Sequence, residues 1–402
     1  MFRFRYVLIL VLVVGLLPIA ATSVAQDEEF VFGLVMVGPH DDRGWSQAHY
    51  EAGLYVEENI PGTKMIWVES INPADSPDRP LELVVEDLVD QGAKLIIANS
   101  DEYKNDVNAV APLYPDVTFL HVSGDAVLTG DAPPNVTNIM GEMEYGKMMA
   151  GCAAALTTQT GKISYLGPLI NDETRRLAAS AYLGAKYCYE NYRGMSGADL
   201  GFEVVWIGFW FNIPGFTLDP TEVVNDFFNG GADVVISGID TTEAIVVAGQ
   251  RSREGEAVWA IPYDFQGACD EAPEACLGVP YFNWGPAYVD LIQSILDGTF
   301  APSWDWNAPD WSDLNNPDTT AVGFVKGAGL SEEASAQLDE FIAALAAGSQ
   351  GEEGGLNLWV GPLNLQDGTA YLAEGEVATA EQIWYLPQLL EGMVGDSVPA
   401  GS

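Results

Sequence analysis

Two adjacent acids and an indole mark the first place where this chain could do chemistry. From Val31 to Ala52 the sequence reads VFGLVMVGPHDDRGWSQAHYEA. An apolar run ends at Gly38-Pro39, a polar loop presents Asp41, Asp42, Trp45 and Ser46, and apolar residues then recur at helical spacing through Ala48, Ala52 and Val56. A buried strand that breaks into a polar loop and resumes as a helix is the first unit of an open α/β sheet. The loop at the carboxyl end of such a strand is where these sheets bind ligands. An indole offers a stacking face and carboxylates accept from N–H and O–H groups, so the loop suits a flat molecule with polar edges. The same residues have a purely structural assignment, with Trp45 in the core and Asp41 capping the helix.

Later apolar runs end in similar groups. Lys94–Ala98 leads into Asn99-Ser100-Asp101-Glu102, and Val117–Val122 into Ser123-Gly124-Asp125. After Phe202–Ile207 comes an aromatic loop with Phe209, Trp210, Phe211 and Phe216, and after Asp233–Ser237 a turn with Asp240. Tyr263-Asp264-Phe265-Gln266 and Tyr281-Phe282-Asn283-Trp284 complete the series. Each segment alone fits packing, but acids and aromatics at successive strand ends fit one binding cleft. There is no GxSxG elbow and no phosphate-cradling Walker loop, so an enzyme is not expected. His40, His49 and His121 lack zinc-site spacing, and no metal or cofactor is called for.

These loops must be held by alternating strands and helices. Thr63–Val68 reads as a strand, Leu81–Gln91 as a helix, and the runs at 94–98 and 117–122 as strands. A second series follows: helix 145–156, strand 162–166, helix 174–189, strand 202–207, helix 220–228, strand 233–237, helix 242–251 and strand 258–262. Such alternation calls for parallel sheets flanked by helices. Two comparable series predict an α/β protein of two Rossmann-like lobes joined by short hinge strands. The expected division is residues 28–125 plus about 264–300 for the first lobe, and 126–263 plus about 301–395 for the second. Gly348–Gly355 reads as a surface loop.

Arg3 and Arg5 precede an apolar run from Val7 to Ala21, and Ser23-Val24-Ala25 supplies small residues for cleavage. That layout predicts a secretory signal peptide over residues 1–25 and an exported, soluble protein at the periplasm or cell surface. Roughly 375 residues then remain, enough for two domains. A formal net charge of −42 argues against nucleic acid or an anionic membrane as partner, since phosphates need clustered Lys and Arg. The acid excess fits a solvated surface. Four cysteines fit export and allow three pairings. Local closure of the DEAPEA loop favours Cys269–Cys276, leaving Cys152–Cys188.

Across most of the mature chain the sequence resembles the basic membrane protein family of nucleoside-type ABC transporter substrate-binding proteins. The matching segments are DDRGWSQAHYEAG, QGAKLIIANS, GKMMAGCAAALTTQTGKISYLGP, LAASAYLGAKY, VVWIGFWFNIPGFTLDP followed by GGADVVISGID, WAIPYDFQGAC and VDLIQSILDGTF. The resemblance implies the type I periplasmic-binding-protein architecture, hinge closure on a purine-type nucleoside, an ABC permease as partner and a monomer. It puts the family's first acidic loop on Asp41 and Asp42, with Ser46 beside them, and a base-stacking aromatic on Trp45. A ribose-binding acid falls on Asp125, the second stacking aromatic on Trp210 with Phe211 beside it, and the late acidic turn on Asp264. Asp240 and Asn283 complete the expected set. The lysine common in the family near 282–283 is missing, and the aromatic loop and Cys269–Cys276 insertion also differ. A sugar or furanone-type signal is the alternative ligand, and a membrane receptor the alternative partner.

Overall fold

The computed structural model describes residues 29–399, so the segment read as a signal peptide lies outside the described residues. Among the described residues, fifteen strands alternate with eleven α-helices. The first series runs β1 (Phe30–Val35), α1 (Trp45–Asn59), β2 (Thr63–Val68), α2 (Leu81–Asp90), β3 (Ala93–Ala98), α3 (Lys104–Val110), β4 (Thr118–Val122), α4 (Ala126–Thr129) and β5 (Val136–Gly141). The second runs α5 (Met143–Thr157), β6 (Lys162–Gly167), α6 (Asp172–Asn191), β7 (Gly201–Trp206), α7 (Pro220–Asn229), β8 (Val234–Ser237), α8 (Glu243–Arg253) and β9 (Trp259–Ile261). The expected strands and helices of both series thus form, with ends shifted by a few residues where frayed termini carry little pattern.

The remaining chain crosses between the two series. It comprises β10 (Gly278–Phe282), α9 (Gly285–Leu296), β11 (Trp304–Asn307), β12 (Val322–Lys326), α10 (Glu332–Ser349), β13 (Leu363–Asn364), β14 (Ala370–Leu372), α11 (Ala380–Trp384) and β15 (Met393–Val394). One sheet has the order β11-β5-β4-β3-β1-β2 and the other β15-β7-β6-β8-β9. Every pairing within these two sheets is parallel. Parallel strands buried on both faces explain why β1, the Leu95–Ala98 part of β3 and most of β8 read as apolar runs. β13 and β14 form a small hairpin, with the 348–355 turn preceding it.

The boundaries at 125 and 300 do not coincide with the sheets. Both Val136–Gly141 and Trp304–Asn307, expected in the second lobe, are strands of the first sheet. VTNIMG and WDWN are short and mix polar with apolar residues, so local pattern does not announce them as strands of a particular sheet. The chain therefore passes from the first lobe to the second between β5 and α5, and returns through β10. Between them β10 and β12 make an antiparallel ladder whose Phe282 and Val322 belong to the first lobe's core and whose Phe324 belongs to the second's. This ladder joins the two lobes. One core covers the first sheet, and two others cover opposite faces of the second.

Both disulfides are present with the pairing read from the sequence. Cys152–Cys188 joins α5 to α6, with Cα atoms 5.2 Å apart, and Cys269–Cys276 closes the short acidic loop, at 5.6 Å.

Candidate ligand-binding cleft

The carboxyl ends of β1, β3 and β4 face those of β6 to β9, and a cavity of about 390 Å³, including its mouth, lies between them. The enclosed void itself is only about 20 Å³, far below the ~300–1,000 Å³ of small-molecule sites, so the lobes must part to admit a ligand. The first lobe contributes Trp45, Ser100, Asp101 and Ser123. The second contributes Tyr165 on β6, Glu173, Thr174 and Leu177 from the first turns of α6, Trp210, Gly238, Asp240 and Tyr263.

The lobes are shut against each other. Asn171 caps α6 and also donates through Nδ2 to Asp101 Oδ2 across the cleft at 3.1 Å. Arg43 on the first loop meets Glu271 of the disulfide-closed loop at 3.0 Å. The backbone of Gly44 lies so close to the Asp240 carbonyl that a Cβ there would come within 1.6 Å of its oxygen. Phe211 stands beside Gly38 in the same seam.

Trp45 opens α1 and is 6% exposed. Its Nε1 donates to the Asn99 carbonyl at 2.6 Å, and its ring packs edge-on against His49, Phe282 and Trp284. It is therefore a packing residue and a cavity wall at once, which unites the two assignments of this residue. Trp210 faces it from the second lobe. The Trp210 carbonyl accepts from the Asp240 amide at 3.0 Å, holding the two site loops together, while its buried indole Nε1 has no hydrogen-bond partner.

Acids dominate the electrostatics. Burial, with the neighbouring Asp264 charge adding to it, pushes the Asp240 carboxyl well above the usual range. Burial likewise raises Glu173 to about 7, against the opposing field of Arg176. Asp264 has φ +69°, is fully buried, and neither carboxylate oxygen makes a hydrogen bond of normal geometry, the Tyr263 hydroxyl being its side-chain neighbour. Burial raises it strongly, and Lys147 is the chief opposing influence. Lys147 is itself fully buried, donates to the Ser237 carbonyl at 2.7 Å and sits 3.1 Å from the centre of the Tyr263 ring. Neutral carboxyls can donate to a ligand and ionised ones can accept, so the cleft can serve either end of a polar heterocycle.

The expected residues divide accordingly. Trp45, Trp210 and Asp240 line the cavity; Asp264 lies directly behind it through its neighbour Tyr263, and Phe211 flanks it. The others have partners elsewhere. Asp41 is exposed. Asp42, not Asp41, closes the start of α1, its carboxylate accepting from the amides of Gly44, Ser46 and Gln47 at 2.9–3.0 Å. Burial nonetheless raises it to about 6. Ser46 Oγ accepts from the Gly38 amide. Asp125 pairs with Lys104 at 3.0 Å and accepts from the Tyr385 hydroxyl at 3.0 Å, outside the cavity lining. Asn283 donates to the carbonyls of Pro317 and Thr320, pinning the loop before β12. His121 is buried on β4, bonded to the Ser100 carbonyl.

Tyr165, Glu173 and Leu177 were not foreseen. Tyr165 sits inside a strand that reads as core, and Glu173 in a helix first turn that reads as a solvated dipole partner. Ser100, Asp101, Ser123 and Tyr263 stood at strand ends, and that position was the available signal.

Residues 30–325, nearly three-quarters of the chain, match the model of the Bmp family, described as ABC transporter substrate-binding protein, PnrA-like. The chain belongs to this family. As a Bmp protein it is a substrate-binding component of an ABC transporter rather than an enzyme, and it works outside the cytoplasm with a small-molecule ligand and a permease. Among the described residues no helix is long and apolar enough to cross a membrane. The chain is 28% identical to a purine-binding protein of Brucella abortus (strain 2308), over 93% of this chain and 95% of the relative. A protein of Haloferax volcanii, with a provisional name as an ABC transporter glucose-binding protein, is 25% identical over 68% of this chain and 62% of its own. Solved structures share the fold. An ABC transporter solute-binding protein from Conexibacter woesei aligns at TM-score 0.57 and 16% identity, over 80% of this chain and 97% of its own. One from Aeropyrum pernix K1 aligns at 0.59 and 15%, over 82% and 83%. Both carry the two-lobed solute-binding architecture to this Bmp chain as fold alone.

Proposed function

We propose that this protein captures an uncharged purine-type base or nucleoside in the interlobe cleft, closes its lobes on it, and presents it as a monomer to an ABC permease. The observation that carries this reading is one cavity walled by Trp45 and Trp210 from opposite lobes, lined by Asp101, Glu173 and Asp240, and containing no lysine or arginine among its lining residues. A planar ring gains stacking on both sides, and its N–H and O–H groups meet carboxylates. A phosphate would meet three acids and no cation among these lining residues. The purine-binding name of the Brucella relative points the same way. Closure follows from a ligand that touches both walls and so stabilises the shut state over the open one.

Calorimetry and thermal melting test this directly. Adenine, hypoxanthine, adenosine and inosine are the probes, with glucose and the nucleoside monophosphates as contrasts. At least one purine should bind and raise the melting temperature, and its monophosphate should bind more weakly or not at all. Binding of glucose with no purine binding would favour the sugar reading suggested by the Haloferax relative. A monophosphate binding more tightly than its nucleoside would reject the acid-lined site.

A further inference from the structure

Trp45 and Trp210 look like matched halves of a clamp, but their indole nitrogens stand in opposite states. Trp45 Nε1 is spent on the Asn99 carbonyl at 2.6 Å. Trp210 Nε1 is buried, in a residue 8% exposed, and has no hydrogen-bond partner, although its residue lines the cavity. Trp284, Trp304, Trp311 and Trp359 also have a buried Nε1 without a partner, but of these indoles Trp210 is the one that lines the cavity, where a bound ligand can supply the acceptor.

The neighbouring polar groups do not divide cleanly by lobe. On the first lobe Ser100 Oγ accepts from the Glu102 amide and Asp101 Oδ2 from Asn171 Nδ2, while Asn99 Nδ2 behind Trp45 is buried without a partner. On the second lobe, besides Trp210, the Tyr263 hydroxyl and both Asp264 oxygens lack a hydrogen bond of normal geometry, though these two adjacent side chains interact electrostatically.

Building on the proposed purine reading, we infer that Trp210 Nε1–H is a specificity-determining donor to an acceptor atom of the ligand, whereas Trp45 supplies only a stacking wall. An indole N–H can only donate, so it selects a ligand with a ring nitrogen or carbonyl oxygen at that edge and rejects an analogue carrying C–H there. The selection arises because the analogue would leave the donor unpaired again.

The test compares Trp210→Phe with Trp45→Phe, since each keeps a stacking ring and removes one N–H. Binding of the tightest purine is measured together with its 1-, 3-, 7- and 9-deaza analogues. Trp210→Phe should weaken binding about tenfold or more, and one deaza analogue should bind poorly to wild type yet lose nothing further in this variant. Trp45→Phe should lower the melting temperature, through loss of the Asn99 bond, and whatever affinity it loses should be lost equally by the parent purine and every deaza analogue, so that their ranking is unchanged. In ¹⁵N-Trp-labelled wild type the Trp210 Nε1–H resonance should move downfield and become protected from solvent exchange on ligand addition, while that of Trp45, already bonded to Asn99, shows at most a ring-current shift with unchanged exchange, a measurement that survives poor folding of either variant. Unchanged affinity and analogue ranking in Trp210→Phe, or a Trp210 resonance unmoved by a bound ligand, would overturn the inference. If no purine binds, the purine reading fails on its own. The same variants and resonances are then read with glucose, whose hydroxyls also accept, and binding of none of these probes overturns both.

Discussion

At the scale of single residues, position at a strand end does not by itself assign a side chain to the ligand. Asp42, Ser46, Asp125 and Asn283 stand where a cleft residue would, and each is committed to protein donors or acceptors instead. Asp125 is the clearest case. Its carboxylate gathers Lys104 from α3 and Tyr385 from the end of α11, so its work is to hold the C-terminal segment against the first lobe. Tyr385→Phe and Asp125→Asn should therefore each lower the melting temperature by a few degrees while leaving ligand affinity within threefold. Parallel thermal and calorimetric measurements on the two variants check this. A tenfold loss of affinity confined to Asp125→Asn would return Asp125 to the binding set.

At the scale of elements, the start of α1 sets how far the lobes can close. Asp42 draws the helix amides together, the loop turns at Gly44, and the bare Gly44 backbone then admits the Asp240 carbonyl from the loop after β8. Glycine is required there for space, because any Cβ would collide with the Asp240 carbonyl oxygen. Gly44→Ala should leave each lobe folded but hold the cleft ajar. Ligand affinity should fall at least tenfold, with a radius of gyration in the presence of ligand larger than wild type by small-angle scattering. Wild-type affinity in this variant would contradict the seam as the closing contact. Behind the cleft the C-terminal segment acts as a strap: Trp384 packs with Trp304 and Trp306 in the first core, and Leu386, Leu389 and Leu390 enter the second. Arg175 of α6 donates to the Leu386 carbonyl, tying that strap to the helix whose first turns line the cavity.

At the scale of the molecule, a net charge of −42 coexists with acids buried at the cleft and hinge. Burial raises Asp42 to about 6 and both Glu142 and Glu173 to about 7. A carboxyl raised in the folded state binds protons there that the unfolded chain has already released. Its favourable contribution is complete below about pH 4, the unfolded value, and is lost as pH rises through 6 to 7. The buried His49 and His121, shifted downward by burial, act oppositely, but only as pH falls through about 6.5, the ordinary histidine value. Between pH 8 and 6 the acids dominate, so the melting temperature should rise as pH is lowered across that window at constant ionic strength. Calorimetric scans at half-unit steps check the sign, and no change or a fall over the same window would show that burial does not hold these acids above their ordinary range.

The sequence by itself determined the architecture and the neighbourhood of the site. Apolar runs such as IIA before NSDE and VVIS before GID are buried on both faces in a parallel sheet, and that burial leaves a two-lobe alternation legible residue by residue. Spacing alone also sufficed for both cysteine pairings, because a seven-residue separation closes locally. Tertiary structure decided everything that depends on which groups meet. β5 and β11 joined the first sheet because edge pairing, not local propensity, placed Trp304–Asn307 beside Asn138–Gly141. Tyr165 and Glu173 became cavity walls because the second lobe turns its strand ends toward Trp45. The difference between Trp45 and Trp210 is invisible in the chain, since both are tryptophans in strand-end loops. It exists because folding carries one indole N–H to a backbone carbonyl fifty-four residues away and leaves the other without an acceptor.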